Sequence, residues 1–307
     1  MGSKVSLVNV EAAEESLKDS IFRAISGIDF RPPASIRTVV IKPNLCYYWN
    51  SSTGYTTDPK VVGGIIDYVR EEFGARVRIK VAEADASAMR TKYAFPVLGY
   101  TSLAWEKKVQ LVNLSQDELL DVKVTAGGVD LTFKIPKLLV EADLFINVPK
   151  LKVMKATTIT CAMKNLFGAN GVMRKAKYHK VLNEAIVGIN KVLRPHLTIV
   201  DGIVALGEHP IRLDLLLAGT DAFSVDWVAA QVMGYSPSRI KFLKLAAKEK
   251  VGCNKGITVV GEKTYRFRQL FPKSPLVSSK YVWNIQFALL KMYKKMSNDI
   301  IPPVLEE

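Results

Sequence analysis

The chain has 307 residues, 49% of them hydrophobic, and its 43 Lys and Arg against 29 Asp and Glu give a net charge of +14. This much apolar material excludes a disordered or fibrous chain and suffices for one large core or two modest domains. The basic balance favours anionic partners: nucleic acid, an acidic membrane surface, or phosphorylated and carboxylated small molecules.

Three dispersed cysteines, Cys46, Cys161 and Cys253, form no C-x-x-C pair. A disulfide framework, a closed zinc site and an iron–sulfur cluster are therefore not expected, and free thiols suit a reducing cytoplasm. No signal peptide is read at the N-terminus. No stretch approaches 18 uncharged apolar residues, so no transmembrane segment is expected.

In chain order, residues 11–27 show helical spacing, with Leu17, Ile21 and Ile25 on one face and Gly27 as the stop. The run at 37–41 reads as a strand. Asp58 and Pro59 then cap and open a helix to Phe73, which Gly74 closes. Residues 75–85 form the next strand, completing a β-α-β unit with a right-handed crossover. Further strands are read at 109–114 and at 142–149, with a hairpin at 122–136 turning on Ala126-Gly127-Gly128. A helix at 179–193 and strands at 197–202 and 213–221 follow. Helices at 222–233 and 237–248 and a strand at 256–262 come last.

The alternation predicts an α/β fold: a mainly parallel central sheet with helices on both faces, Rossmann-like in three layers, plus one antiparallel hairpin. Residues 1–265 are read as a single α/β domain. Residues 266–307 are read as a basic tail. Val282, Ile285, Leu289, Met292 and Met296 give that tail an amphipathic helix that would dock on the body, dimerise or touch a membrane surface.

Ligands in open parallel sheets sit beyond the carboxyl ends of the strands. Five predicted strands run into polar residues there: Lys42 to Asn44, Glu83 to Asp85, Lys150 to Lys152, Asp201, and Thr220-Asp221. These are expected to converge on one edge. Pro149–Lys180 holds seven lysines, one arginine and no Asp or Glu. It lacks G-x-x-x-x-G-K-[ST], and no G-x-G-x-x-G follows a strand, so neither nucleotide fingerprint is present.

The expected anion ligands are Lys42, Asn44, Lys152, Thr157, Thr158, Asn165, Lys175 and Lys177. Lys150, Lys164 and His179 are the expected catalytic groups, His179 as an acid–base near neutral pH. Asp201, Asp221 and Asp226 either hold a Mg²⁺-type ion together with substrate or act as caps and ion-pair partners. Gly168-Ala169-Asn170-Gly171 is read as a hinge, with both glycines free to take φ > 0 and the basic residues after it forming a flap over the ligand.

The blocks VVIKPNL (39–45), TTDPKVVGGIIDYV (56–69), EADLFINVPKLK (141–152), CAMKNLFG (161–168), KYHK (177–180), IVDGI (199–203) and AGTDAFSVDWVAA (218–230) occur in this order. Together they resemble the prokaryotic family registered as domain of unknown function 362, over about residues 37–235. The resemblance implies no settled activity. It points to Lys42, Asn44, Asp58, Lys150, Lys152, Lys164, Asn165, His179, Asp201, Asp221 and Asp226. Some members carry a ferredoxin-like segment, whose cysteine runs this chain lacks. Members often have a His soon after Lys-x-Lys, where this chain reads Lys152-Val153-Met154.

The function expected is an enzyme, or a former one, with a lysine-rich cleft for a phosphorylated or carboxylate small molecule. The alternative is a nucleic-acid or ribosome-binding protein using its basic surface. The resemblance adds a third reading, an accessory protein of an iron–sulfur or redox system.

Overall fold

The computed structural model describes residues 2–10, 16–173 and 175–272. Strand β1 (Lys4–Asn9) precedes helix α1 (Leu17–Ser26). The Ser16 hydroxyl accepts from the Asp19 amide while the Asp19 carboxylate accepts from the Ser16 amide, a reciprocal capping box. Next come β2 (Thr38–Pro43), α2 (Pro59–Phe73) and β3 (Arg78–Glu83). Asp58 caps α2 by accepting from the Lys60 amide, and Gly74, at φ 88°, ends it.

Two short helices follow that the sequence did not announce, α3 (Thr91–Val97) and α4 (Tyr100–Glu106), separated by Gly99 at φ 82°. Each has only seven residues, too few for a clear apolar period. Strand β4 (Gln110–Asn113) leads to the hairpin of β5 (Leu119–Ala126) and β6 (Val129–Pro136). Gly127 and Gly128 turn it at φ 58° and 77°, the two left-handed residues that a tight hairpin of this hand needs.

The chain continues through α5 (Lys137–Glu141), β7 (Leu144–Val148), β8 (Lys150–Met154), β9 (Thr158–Thr160) and α6 (Ala162–Gly168). It closes with α7 (Leu182–Val192), β10 (Leu197–Leu206), β11 (Pro210–Gly219), α8 (Ala222–Val232), α9 (Lys241–Lys248), β12 (Thr258–Gly261) and α10 (Thr264–Leu270).

The central sheet runs β12-β1-β11-β10-β7-β2-β3-β4, and β5-β6 pair separately. Most neighbours are parallel. β11 runs antiparallel to both β10 and β1, so the fold is α/β with a mixed, mostly parallel sheet. Where β7 ends, β8 takes over beside β10 and folds back on β9. Successive residues of β2 face opposite sides, so Val40 joins one apolar cluster and Val39 and Ile41 the other. The first cluster packs Phe133, Phe145, Ile186, Val228 and Phe242. The second packs Ile21, Val61, Ile65, Tyr100 and Ile199.

Phe267 and Phe271 are buried in the first cluster. The amphipathic helix expected over 278–296 lies outside the described residues. Among those residues no helix is long and apolar enough to cross a membrane.

Candidate functional site

The carboxyl ends of β2, β3, β7–β8 and β10 bring together four charged side chains that are almost wholly buried. Lys42 ends β2 and pairs with Glu83 at the end of β3, Nζ to Oε1 2.7 Å. Its ammonium also donates to Asn165 Oδ1 at 3.2 Å and to the Pro43 carbonyl at 3.0 Å, and Asn165 in turn donates to Asn147 Oδ1 at 2.9 Å. On the next strands Lys150 donates to Asp201 Oδ2 at 2.8 Å. Asp201 accepts as well from the Asp58 amide at 2.8 Å and the Ile203 amide at 3.1 Å, which ties the start of α2 to β10. These two ion pairs are closed: every charge has its counter-charge within bonding distance.

Three further lysines have no carboxylate at ion-pair distance among the described residues. Lys152 is buried and donates to Asn44 Oδ1 at 2.6 Å and the Tyr55 carbonyl at 2.7 Å, with the Cys46 thiol as a further neighbour. Burial lowers its pKa below the usual lysine value, Lys150 adding to the effect and Cys46 opposing it. Lys175 is buried and donates to the Asp85 carbonyl at 2.7 Å. Burial pushes its pKa down to about 8 against the pull of Glu83. Lys164, part-buried on α6, has no hydrogen-bonding partner among the described residues. Burial and the neighbouring Lys152 push it down to about 8.

The loop from Asn44 to Thr57 closes one side of this cluster. The Asn44 amide donates to Thr57 Oγ1, which donates to the Val148 carbonyl, both at 2.9 Å. Gly54 sits at φ 73° with its absent Cβ position only 2.7 Å from the Ala205 carbonyl oxygen of β10. A side chain there faces both a left-handed backbone, costing about 1–2 kcal/mol, and an overlap with main chain. Gly54→Ala is therefore expected to lower the urea midpoint by more than Gly128→Ala, which has a similar φ of 77° but open space around it. Equal losses in the two variants would show that the loop does not need the close approach.

The remaining expected residues fall elsewhere. Thr157 is buried, its hydroxyl donating to the Ile159 carbonyl at 2.8 Å, so it serves the β8–β9 turn. Thr158 occupies φ 66° at that turn. Lys177 is exposed, its ammonium 5.0 Å from the Tyr178 ring centre, and His179 is exposed on the same short 3₁₀ turn, Lys175–Val181.

Asp221 caps α8 by accepting from the Ser224 amide at 3.0 Å. The sequence pattern places it beside the lysines, but β11 is antiparallel, so Thr220 and Asp221 leave the sheet at the opposite edge. The direction of a strand depends on its partners, which a local pattern does not carry. Asp226 is buried on α8 and accepts from the amides of Ala162 and Met163 at 2.6 and 3.0 Å. Burial raises its pKa to about 7. The three carboxylates thus serve different partners. Among the described residues no three His, Cys, Asp or Glu side chains gather as a metal-binding set.

The hinge expected at 168–171 has another geometry. Neither Gly168 nor Gly171 has positive φ. Gly171 is small because a Cβ would lie 2.4 Å from Leu119 Cδ2, and its amide donates to the Lys134 carbonyl at 2.8 Å. Beyond it, the Tyr178 ring stacks on Phe133 at 5.5 Å. Cys46, Tyr55, Thr57 and Asn147 also border the site, though no motif in the sequence marks them for it. Cys46 and Asn147 lie within three residues of Asn44 and Lys150, whereas Tyr55 and Thr57 come at the far end of the loop, just before the helix cap Asp58, and carry no strand-end signal.

The sequence signature of the family described as Domain of unknown function (DUF362) matches residues 39–231. The chain is 28% identical over 230 residues to the "Thylakoid-associated protein sll1697" of Synechocystis sp., covering 70% of this chain and 68% of that protein. Among solved structures it is similar to the lactate racemase apoprotein from Thermoanaerobacterium thermosaccharolyticum, with a TM-score of 0.44 and 13% identity. That match covers 75% of this chain, and the chain spans 56% of that structure's length.

Proposed function

The chain belongs to the Domain of unknown function (DUF362) family, and from that premise we propose that its lysine cluster binds the phosphate or carboxylate group of a small molecule on which the protein acts. The observation that carries this reading is the sorting of the five lysines. Lys42 and Lys150 have their own carboxylates. Lys152, Lys164 and Lys175 are desolvated without one. Buried cations without counter-ions cost stability, and an anion arriving among them recovers it.

Burial also bears on the kind of anion. Lys152 and Lys175 are 1% and 9% exposed. A compact group reaches such ammonium ions more readily than the backbone of a nucleic acid does. Of the groups expected to move protons, Lys164 is favoured. With a pKa of about 8 it exists in both protonation states near neutral pH. Lys150 is held by Asp201 and His179 faces solvent.

Calorimetric titration with inorganic phosphate tests the proposal, with thermal unfolding as a second readout. Saturable binding is expected in the parent protein, with a rise in Tm at excess ligand, and weaker binding in Lys152→Met. No heat and no Tm shift at millimolar phosphate or citrate, together with salt-sensitive binding of an oligonucleotide, would replace this reading with the nucleic-acid one.

A further inference from the structure

Next to the lysines stands a group of aromatic rings that the core does not use. Tyr47 and Trp49 are 45% and 46% exposed, large values for two neighbouring aromatic side chains. Their rings stack at 5.4 Å and 30°, and Trp49 meets the Tyr55 ring edge-on at 4.2 Å. Tyr55 joins this shelf to the cations: the Lys152 ammonium lies 5.8 Å from its ring centre and bonds to its carbonyl.

The shelf is held firmly. Its loop is tied to β7 through Thr57 and packed on β10 at Gly54, and the Tyr48 hydroxyl accepts from the Arg90 amide at 2.9 Å. Tyr47 takes φ 57°, a left-handed conformation that bulky residues avoid. Such strain persists only where the surroundings impose it, and it gathers at ligand sites. A further unpaired group lies nearby. Thr160 faces Lys152 across the β8–β9 ribbon, and its buried hydroxyl has no hydrogen-bond partner among the described residues.

We propose that Tyr47, Trp49 and Tyr55 receive a planar ring of the same ligand whose anionic group the lysines hold, so that the ligand is an aromatic anion, a conjugated ring joined to phosphate or carboxylate. The proposal rests on the anion-binding reading and adds the ring to it. A ring laid on the exposed faces of Tyr47 and Trp49 covers apolar surface now open to water. Tyr55 touches both Trp49 and Lys152, so the anionic group and the ring lie within one small molecule's length. A purely aliphatic anion would leave the shelf unused.

The test compares ligands that differ only in the ring. Adenosine 5′-monophosphate is set against ribose 5-phosphate, and phenyl phosphate against methyl phosphate, with inorganic phosphate and adenosine as references. Stacking on aromatic side chains corresponds to roughly five- to hundredfold in affinity. The ring-bearing member of at least one pair is expected to bind more tightly by that factor. Trp49→Ala should abolish the gain while leaving inorganic phosphate affinity unchanged. Trp49→Phe should keep the gain but lose the ligand-induced quenching of tryptophan fluorescence. If inorganic phosphate binds and neither pair differs, or Trp49→Ala leaves the gain intact, the ring site is wrong and the anion reading stands. If none of the anions binds, both readings fail together. Adenosine binding as tightly as its monophosphate overturns the shared ligand.

Discussion

Asp201→Ala is expected to destabilise the protein by about 3–5 kcal/mol, the range for breaking a buried ion pair from one side. Asp201 is fully buried and accepts from three donors: the Lys150 ammonium and the amides of Asp58 and Ile203. Removing it leaves a cation and two backbone donors without partners in a place water does not reach. Domains of ordinary size hold only about 5–15 kcal/mol in all. The loss should therefore appear as a large drop in the urea midpoint. Lys150→Met combined with Asp201→Ala should recover part of it, because the stranded charge is gone, although the two amides still lack an acceptor. A double variant no more stable than Asp201→Ala would mean that Lys150 is not the group left uncompensated.

The second large effect is on binding and its pH dependence. Sulfate does not titrate between pH 7 and 10, so any change in its affinity over that range comes from the protein. Lys164 and Lys175 have pKa values of about 8, below the ordinary 10.5. An anion binds their charged forms and draws those values back up. Affinity should therefore be highest below about pH 8 and fall above it, by up to about tenfold per pH unit for each coupled proton. Lys164→Gln should weaken sulfate binding at pH 7 by roughly tenfold or more and make the pH profile shallower. Lys164→Arg, charged throughout the range, should retain more of the affinity and also flatten the profile. Identical affinity at pH 7 and pH 9.5 in the parent protein would show that neither lysine faces the anion.

The same lysines act on stability with the opposite sign. Between about pH 8 and 10.5 the unfolded chain holds protons on them that the folded chain has released. Their contribution therefore disfavours folding below pH 8 and fades as pH rises through that window. An anion bound as proposed would offset this cost at neutral pH.

Signals contained within a few residues were readable from the sequence alone. Asp58-Pro59 before an apolar period, Gly127-Gly128 between alternating strands, and the β-branched run ending at Lys42 each depend on local sterics and hydrogen bonds. They locate α2, the hairpin and the strand end that carries the first lysine. The basic stretch from Pro149 to Lys180 was equally plain as composition. Short elements escaped: α3, α4 and the β8–β9 ribbon have too few residues for a period to emerge, and tertiary pairing stabilises them.

Only the tertiary structure decided what the lysines are. All of them look alike in the chain, but Lys150 meets a carboxylate 51 residues away while Lys152, two positions on, meets only neutral acceptors and a thiol among the described residues. The direction of β11 likewise depends on its neighbours, and it sends Asp221 to the far edge of the sheet. Charge type and local conformation belong to the residue and its near neighbours. Burial, pairing and the resulting pKa belong to contacts between segments distant in sequence. For that reason the sequence marks only a lysine-rich stretch, and the fold sorts out Lys152, Lys164 and Lys175 as lysines with no carboxylate at ion-pair distance among the described residues.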